Sequence, residues 1–253
     1  MLSEERRRAI IKILERDGRV LVADLARHFH TSQVTIRKDL DVLHADGLIH
    51  RAHGGALATQ SGALEDPTLR DKEKVHRKEK LRIAEAAASM VSEGQVIILD
   101  SGTTTTAIAR ALRNFKSLTI ITNAVNIAAE LSGSTVEVIL TGGSVRQNSF
   151  SLVGPIAEQT LRRLHADMLF LGVDGFDVSY GLTTPNLQEA EVNRAMVEVA
   201  NRTVVVCDSS KFGRRRLSQI VRLAALHQVI TDRNVSKSDL RALRKAGIDV
   251  LIV

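Results

Sequence analysis

The clearest chemistry in this sequence lies in Asp100, Ser101, Gly102, Thr103, Thr104, Thr105 and Thr106, which follow the apolar run VIIL and precede AIARALRNF. A loop of small residues between a strand and a helix N-terminus suits an anion. Its backbone N–H groups point outward, the helix dipole is positive there, and hydroxyls add further donors. The loop lacks the lysine and glycine spacing of a Walker motif and is not GxGxxG; Thr-rich turns also serve as plain helix caps. Other strand-ending loops share its character: Asn123 after LTIIT, Gly142 and Gly143 with Arg146 nearby, Asp174 before Gly175, and Asp208-Ser209-Ser210-Lys211. In open α/β sheets, ligands bind outside the carboxyl ends of the strands, so these groups converge on a small polar anion. A phosphorylated sugar fits better than a nucleotide, since no aromatic or apolar pocket for a base is evident. Asp100 and Asp208 follow buried strands, where a carboxylate also caps the next turn, and Gly142-Gly143 also suit positive φ.

A second cluster lies near the N-terminus. In SQVTIRKDLDVL the residues Ile36, Leu40 and Leu43 recur at helical spacing as a buried stripe, and Ser32 stands where an N-cap belongs. Gln33, Thr35, Arg37 and Lys38 fall on the opposite face. Gln33 can pair with adenine, Arg37 with guanine, and the Val34 methyls with a thymine methyl. Thr35 and Lys38 suit phosphate oxygens, which position a protein on DNA without reading sequence. Arg51 and His53 follow on a short hairpin read around Gly54-Gly55.

The elements that position these clusters differ along the 253 residues. Residues 1–58 read as a helix with Ala9, Ile10, Ile13 and Leu14 on one face and Gly18 ending it. A second helix through Leu25 and Phe29, the helix after Ser32 ending at Asp46-Gly47, and a β-wing complete the winged helix-turn-helix. Residues 59–78 are polar and charged around Pro67 and read as a linker. Residues 79–253 alternate helical stretches with seven β-branched runs, VIILD, LTIIT, VEVIL, DMLFLGVD, TVVVCD, HQVIT and DVLIV, the pattern of an α/β domain with a largely parallel sheet.

The string HFHTSQVTIRKDLDVLHADGLIHRAHGGA resembles the DeoR family of bacterial transcription regulators, whose pattern runs LAxxFxVSxxTIRRDLxxLxxxGxLxRxHGGA. Two departures are His30-Thr31, where the pattern favours small or apolar residues, and Lys38 for an arginine. Lys38 keeps the charge but loses a bidentate fork. The second half resembles the same family's sensor domain through ILDSGTTT, TGG, SLVGPIAE, LFLGVDGF, GLTT and CDSSKFGR. That domain is similar to the ribose-5-phosphate isomerase and glucosamine-6-phosphate deaminase fold. The resemblance implies a ribose-phosphate-isomerase-like α/β sensor. In it Ser101, Gly102, Thr103, Thr104 and Thr105 hold a phosphate, and Asn123, Gly143, Arg146, Asp174, Glu189, Glu191 and Lys211 are candidates for the sugar. Glu189 and Glu191 lie two apart at the start of a helix, so one of them at most faces a pocket. The segment from LFLGVDGFD to EVNRAM is most similar to the branch controlling N-acetylgalactosamine and tagatose use.

These readings imply a DNA-binding repressor of a sugar-catabolic operon, induced by a phosphorylated sugar and acting on double-stranded operator DNA as a homodimer or homotetramer. A sugar-phosphate isomerase or deaminase carrying a DNA-binding module is the alternative. Composition agrees with the first. The net charge of +6 suits an anionic partner, and 3% aromatic residues argue against stacking platforms for single strands. With 25% charged residues and no run of about 18 uncharged apolar ones, a membrane protein is excluded. The first residues, MLSEERRRAIIKILERDG, read as an amphipathic helix rather than a signal peptide. One cysteine, Cys207, forms no internal disulfide, and the reading is cytoplasmic and reduced. Eight histidines without metal-ligand spacing imply no metal, and nothing implies a cofactor.

Overall fold

The structure, a computed structural model, describes residues 2–17, 19–46, 48–52, 54–58, 64 and 66–253. Gly18, Gly47, His53 and most of the connecting stretch 59–65 lie outside the described residues. The chain divides into two compact units, Met1–Glu65 and Asp66–Val253.

The first unit has helices α1 (Ser3–Asp17), α2 (Val22–His28) and α3 (Gln33–Ala45), with strands β1 (Arg19–Leu21), β2 (Ile49–Ala52) and β3 (Gly55–Ala58). Ile10 and Leu14 of α1, Leu25 of α2 and Ile36, Leu40 and Leu43 of α3 form one buried cluster. The α1 and α3 sets recur at three- or four-residue spacing, which places each on one side of its helix. Between α2 and α3 the chain turns through His30, whose φ is 48°. The Thr31 N–H reaches back to the Ala26 carbonyl at 3.0 Å. His30 takes the left-handed conformation that helix C-terminal turns usually give to glycine. The antiparallel strands run in the order β1-β3-β2. Gly55 is required where β3 crosses β1, because a Cβ there would stand 2.0 Å from the Val20 carbonyl oxygen.

The second unit begins with α4 (Leu69–Lys74) and α5 (Arg77–Ala88). Then follow β4 (Val96–Leu99), α6 (Thr103–Leu112), β5 (Thr119–Thr122), α7 (Val125–Leu131) and β6 (Glu137–Leu140). A hairpin of β7 (Ser144–Arg146) and β8 (Ser151–Val153) leads to α8 (Pro155–Leu161) and β9 (Ala166–Leu171). Next come β10 (Gly175–Asp177), β11 (Gly181–Thr184), α9 (Leu187–Val199), β12 (Ala200–Val206) and β13 (Ser218–Gln219). The chain closes with β14 (Gln228–Thr231), α10 (Lys237–Lys245) and β15 (Asp249–Ile252).

Seven strands pair in parallel in the order β15-β14-β12-β9-β4-β5-β6. They are the seven β-branched runs of the sequence. Apolar side chains leave both faces. Ile97, Leu99 and Ile120 pack with Ile83, Ile108 and Ile127 of α5, α6 and α7 on one side. Ile98, Leu169 and Val205 pack with Leu161, Met196 and Leu243 of α8, α9 and α10 on the other. Such doubly covered parallel strands read as continuous apolar runs, as these do. After β4 the chain winds outward through β5 and β6, then returns to place β9 on the other side of β4. The order therefore reverses between β4 and β9, which opens a crevice at their carboxyl ends. Residues 66–78, part of the stretch 59–78 read from the sequence as linker, belong to this unit: the Leu69 N–H bonds the Asn148 carbonyl at 2.7 Å and α5 begins at Arg77.

Candidate functional site

On the first unit the solvent-facing side of α3 presents Gln33, Val34, Arg37 and Lys38, all exposed. Ser32 and Thr35 serve the helix itself. The Ser32 Oγ accepts the Thr35 N–H at 3.1 Å and lies 2.9 Å from the Thr35 hydroxyl, an N-cap of the usual kind. The side left for a partner is thus an amide, a guanidinium, an ammonium and two methyl groups. Arg51 is partly engaged: its Nε meets Asp41 of α3 at 3.0 Å and its Nη1 donates to the Gly55 carbonyl at 3.1 Å. It ties the wing to the helix while remaining at the surface. The sequence did not reveal Asp39, buried on the inner side of α3 and paired with the Arg6 Nε at 2.5 Å. His53 falls outside the described residues.

On the second unit a cavity of about 60 Å³ opens at the reversal of strand order, several times the space one water needs. Ser101, Gly102, Thr103 and Thr104 form one wall, between β4 and α6. The first intrahelical bond of α6 runs from the Thr106 N–H to the Gly102 carbonyl. The N–H groups of Thr103, Thr104 and Thr105 precede it as first-turn donors without helical acceptors. Thr105 itself is fully buried, and its hydroxyl donates to the Gly102 carbonyl at 3.0 Å. Gly102 has φ −178°, extended backbone open to any residue; its value here is lack of bulk beside the cavity.

Charged groups surround this wall. Asp100 is almost completely buried and accepts the Gly172 N–H of the loop after β9 at 3.1 Å. Burial pushes its carboxyl up to about 7; the Gly172 bond opposes this, and Glu189 and Asp174 add to it. Asp174 meets the Lys72 Nζ at 2.7 Å and the Lys211 Nζ at 4.0 Å. Burial alone would raise Asp174, but the two ammonium groups outweigh it and hold the carboxyl at about 2. Lys80 is buried, and its Nζ donates to the carbonyls of Lys72 and Val75. Burial pushes its ammonium down to about 8, against the attraction of Asp208. Glu189, also buried, accepts from Ser149 at 2.5 Å, Ser151 at 2.9 Å and Arg146 at 3.0 Å.

The cavity brings together Asp100, Ser101, Gly102, Thr103, Thr104, Asp174, Glu189 and Lys211 among the residues singled out from sequence. Arg146 stands behind them, held by Glu189 and Asp66. Glu191 points to solvent and pairs with Arg194. Asn123 is fully buried away from the cavity walls, its side-chain N–H₂ donating to the Leu152 carbonyl at 3.2 Å. Gly142 and Gly143 have φ of 72° and 112°, and a Cβ on Gly143 would lie 2.6 Å from the Val153 carbonyl, so this pair shapes the β6–β7 turn. Lys72, Lys80, Ser149, Thr184 and Asn193 line the cavity without having been singled out from sequence as its ligands; Asp208 lines it too while its carboxylate caps the Ser210 N–H. Lys80 had a signal: it shares the i, i+3, i+4, i+7 face of Ile83, Ala84 and Ala87, where a solvated lysine does not belong. Among the described residues no group of three or more His, Cys, Asp or Glu could hold a metal. No helix among them is long and apolar enough to cross a membrane.

Residues 6–61 match the DeoR-like helix-turn-helix domain, and residues 75–233 match the DeoR C terminal sensor domain. A DNA-reading module followed by a sensor domain is a transcription regulator, not an enzyme. The chain belongs to the DeoR family. Its relatives include a putative aga operon transcriptional repressor from Escherichia coli O157:H7, 43% identical over 99% of this chain and 94% of that one. The HTH-type transcriptional regulator GlpR of Haloferax volcanii is 40% identical over 99% and 98%. The glycerol-3-phosphate regulon repressor of Escherichia coli K12 is 33% identical over 92% of each chain. Among solved structures, ribose 5-phosphate isomerase A from Methanocaldococcus jannaschii aligns at 20% identity and a TM-score of 0.41 over 54% of each chain. A likeness that weak says nothing about ligands.

Proposed function

We propose that the protein is a cytoplasmic repressor of a sugar-catabolic operon and releases its operator when a phosphorylated sugar binds the cavity of the second unit. The observation that carries this reading is the pairing of two donor types around one small space. First-turn N–H groups of α6 and the hydroxyls of Ser101, Thr103 and Thr104 stand near the ammonium groups of Lys72, Lys80 and Lys211, a setting suited to a phosphate. Asp174 and Glu189 supply acceptors suited to sugar hydroxyls. The names of the relatives, which include repressors of an aga operon and of a glycerol-3-phosphate regulon, support the class of effector.

On DNA, α3 enters the major groove with Gln33, Val34 and Arg37 at base edges and Lys38 at the backbone. Two or four copies present such helices to repeated half-sites, and the effector favours an arrangement that no longer matches their spacing. The test pairs calorimetry with an operator gel shift. Glycerol 3-phosphate and hexose phosphates are compared with the same compounds lacking phosphate. Equal affinity with and without the phosphate refutes the reading. So does an operator complex that no phosphate ester loosens.

A further inference from the structure

We propose that residues 66–74 form a strap that closes over the effector cavity, with Lys72 touching the effector's anionic group and Lys80 latching the strap's end; this rests on the phosphate-ester reading above. α4 is six residues long and has no buried residue, so neither propensity nor apolar burial holds it in place. Polar anchors do. The Leu69 N–H bonds the Asn148 carbonyl, Asp66 pairs with Arg146, Lys72 pairs with Asp174, and Lys80 donates to the carbonyls of Lys72 and Val75.

Three of these anchors lead to the cavity. Asp174 and Lys80 line it, and Arg146 is shared with the cavity residue Glu189. Lys80 satisfies carbonyls at the C-terminal end of α4, which have no helical donors of their own. Between α4 and α5, His76 adopts φ 53°, an unusual conformation for a residue other than glycine, placed where a hinge would bend. A segment held by a few polar contacts and little apolar burial opens at lower free energy than the sheet beneath it.

The direction of the response follows from charge. Lys72 and Lys211 share one carboxylate, so an arriving phosphate gives Lys72 a second anionic partner without costing Asp174 its only cation. Occupancy therefore tightens the strap. Residue 66 directly follows the segment that connects to the winged helix, so closing the strap fixes one end of that connection. A sugar-phosphate signal thus has a covalent route out of its site.

The experiment is hydrogen–deuterium exchange on the full-length protein, following amides of residues 69–75, with calorimetry on the same samples. The probes are inorganic phosphate, glycerol 3-phosphate and fructose 6-phosphate. Binding should slow exchange of this segment. Lys72→Met keeps the aliphatic stem, should weaken the tightest-binding ester about tenfold or more, and should abolish the slowing; Lys72→Arg should restore part of both. Binding without a change in exchange, faster exchange on binding, or full slowing in Lys72→Met each overturns the strap while leaving the phosphate reading intact. No binding of any probe overturns both.

Discussion

Replacing Asp100 by asparagine should stabilise the second unit at alkaline pH and leave it little changed in acid. Asparagine has nearly the same shape and keeps an oxygen for the Gly172 N–H, so the difference is the charge. The folded carboxyl titrates at about 7, against an ordinary value of 3.8. Its cause is burial, with Glu189 and Asp174 adding to it. Below 3.8 both folded and unfolded chains carry the proton and Asp100 costs nothing. Between 3.8 and about 7 the unfolded chain has released the proton and the folded chain has kept it, so stability falls as pH rises. Above 7 the penalty is complete. Its size is the pKa rise at 1.36 kcal/mol each, roughly 4 kcal/mol by pH 8 and under about 2 kcal/mol at pH 5. The protein has one tyrosine, Tyr180, and no tryptophan, so tyrosine fluorescence follows this unit alone during urea unfolding. The advantage of Asp100→Asn should widen from pH 5 to pH 8. A gap independent of pH, or a variant less stable than wild type at pH 8, refutes the reasoning.

The same carboxylate stands beside the loop of residues 101–104, so between pH 7 and 8.5, where a phosphate ester is a dianion, affinity should fall as Asp100 ionises. Asp100→Asn should remove part of that dependence in calorimetry, the remainder coming from Lys80, whose buried ammonium titrates at about 8. Gly102→Val places methyl groups at the cavity wall, where a Cβ already meets the Thr105 hydroxyl at 3.3 Å. The variant should fold and bind operator yet lose the effector response, and a normal response in the gel shift would remove Gly102 from the site. Arg37→Ala should cost about 1–3 kcal/mol of operator affinity with unchanged thermal stability. An unaltered operator complex would take Arg37 off the reading face. Arg6→Ala strands the buried Asp39 carboxylate and should destabilise the first unit by about 3–5 kcal/mol in denaturant titrations followed by helical circular dichroism. A loss within error would mean that water reaches Asp39.

Much of this protein was decided by local pattern. The stripe of Ile36, Leu40 and Leu43 marks the buried side of α3 because a helix repeats every 3.6 residues, and that alone turns Gln33, Val34 and Arg37 outward. The five inner runs announce strands because a parallel strand covered on both faces tolerates few polar residues, and the edge strands β6 and β15 keep the apolar pattern with their ends exposed. The Ser101 to Thr104 loop is visible for a similar reason: strand, small residues and helix are consecutive in the chain. What the sequence could not decide is which distant elements meet. Asp100 and Gly172 are hydrogen-bonded only because β9 returns to lie beside β4, a choice of strand order that no local pattern encodes. Glu189 rather than Glu191 faces the cavity because Arg146, Ser149 and Ser151 come from the β7–β8 hairpin to meet it. Asn123 and Gly143, plausible ligands by type, became structural because a neighbouring backbone stands against each. Lys72 lay hidden in the charged run DKEKVHRKEK, where most side chains are solvated, and only its place on the apolar face of α5 set Lys80 apart there. Only tertiary packing carries these two to the carboxylates and carbonyls that offset the cost of removing an ammonium from water.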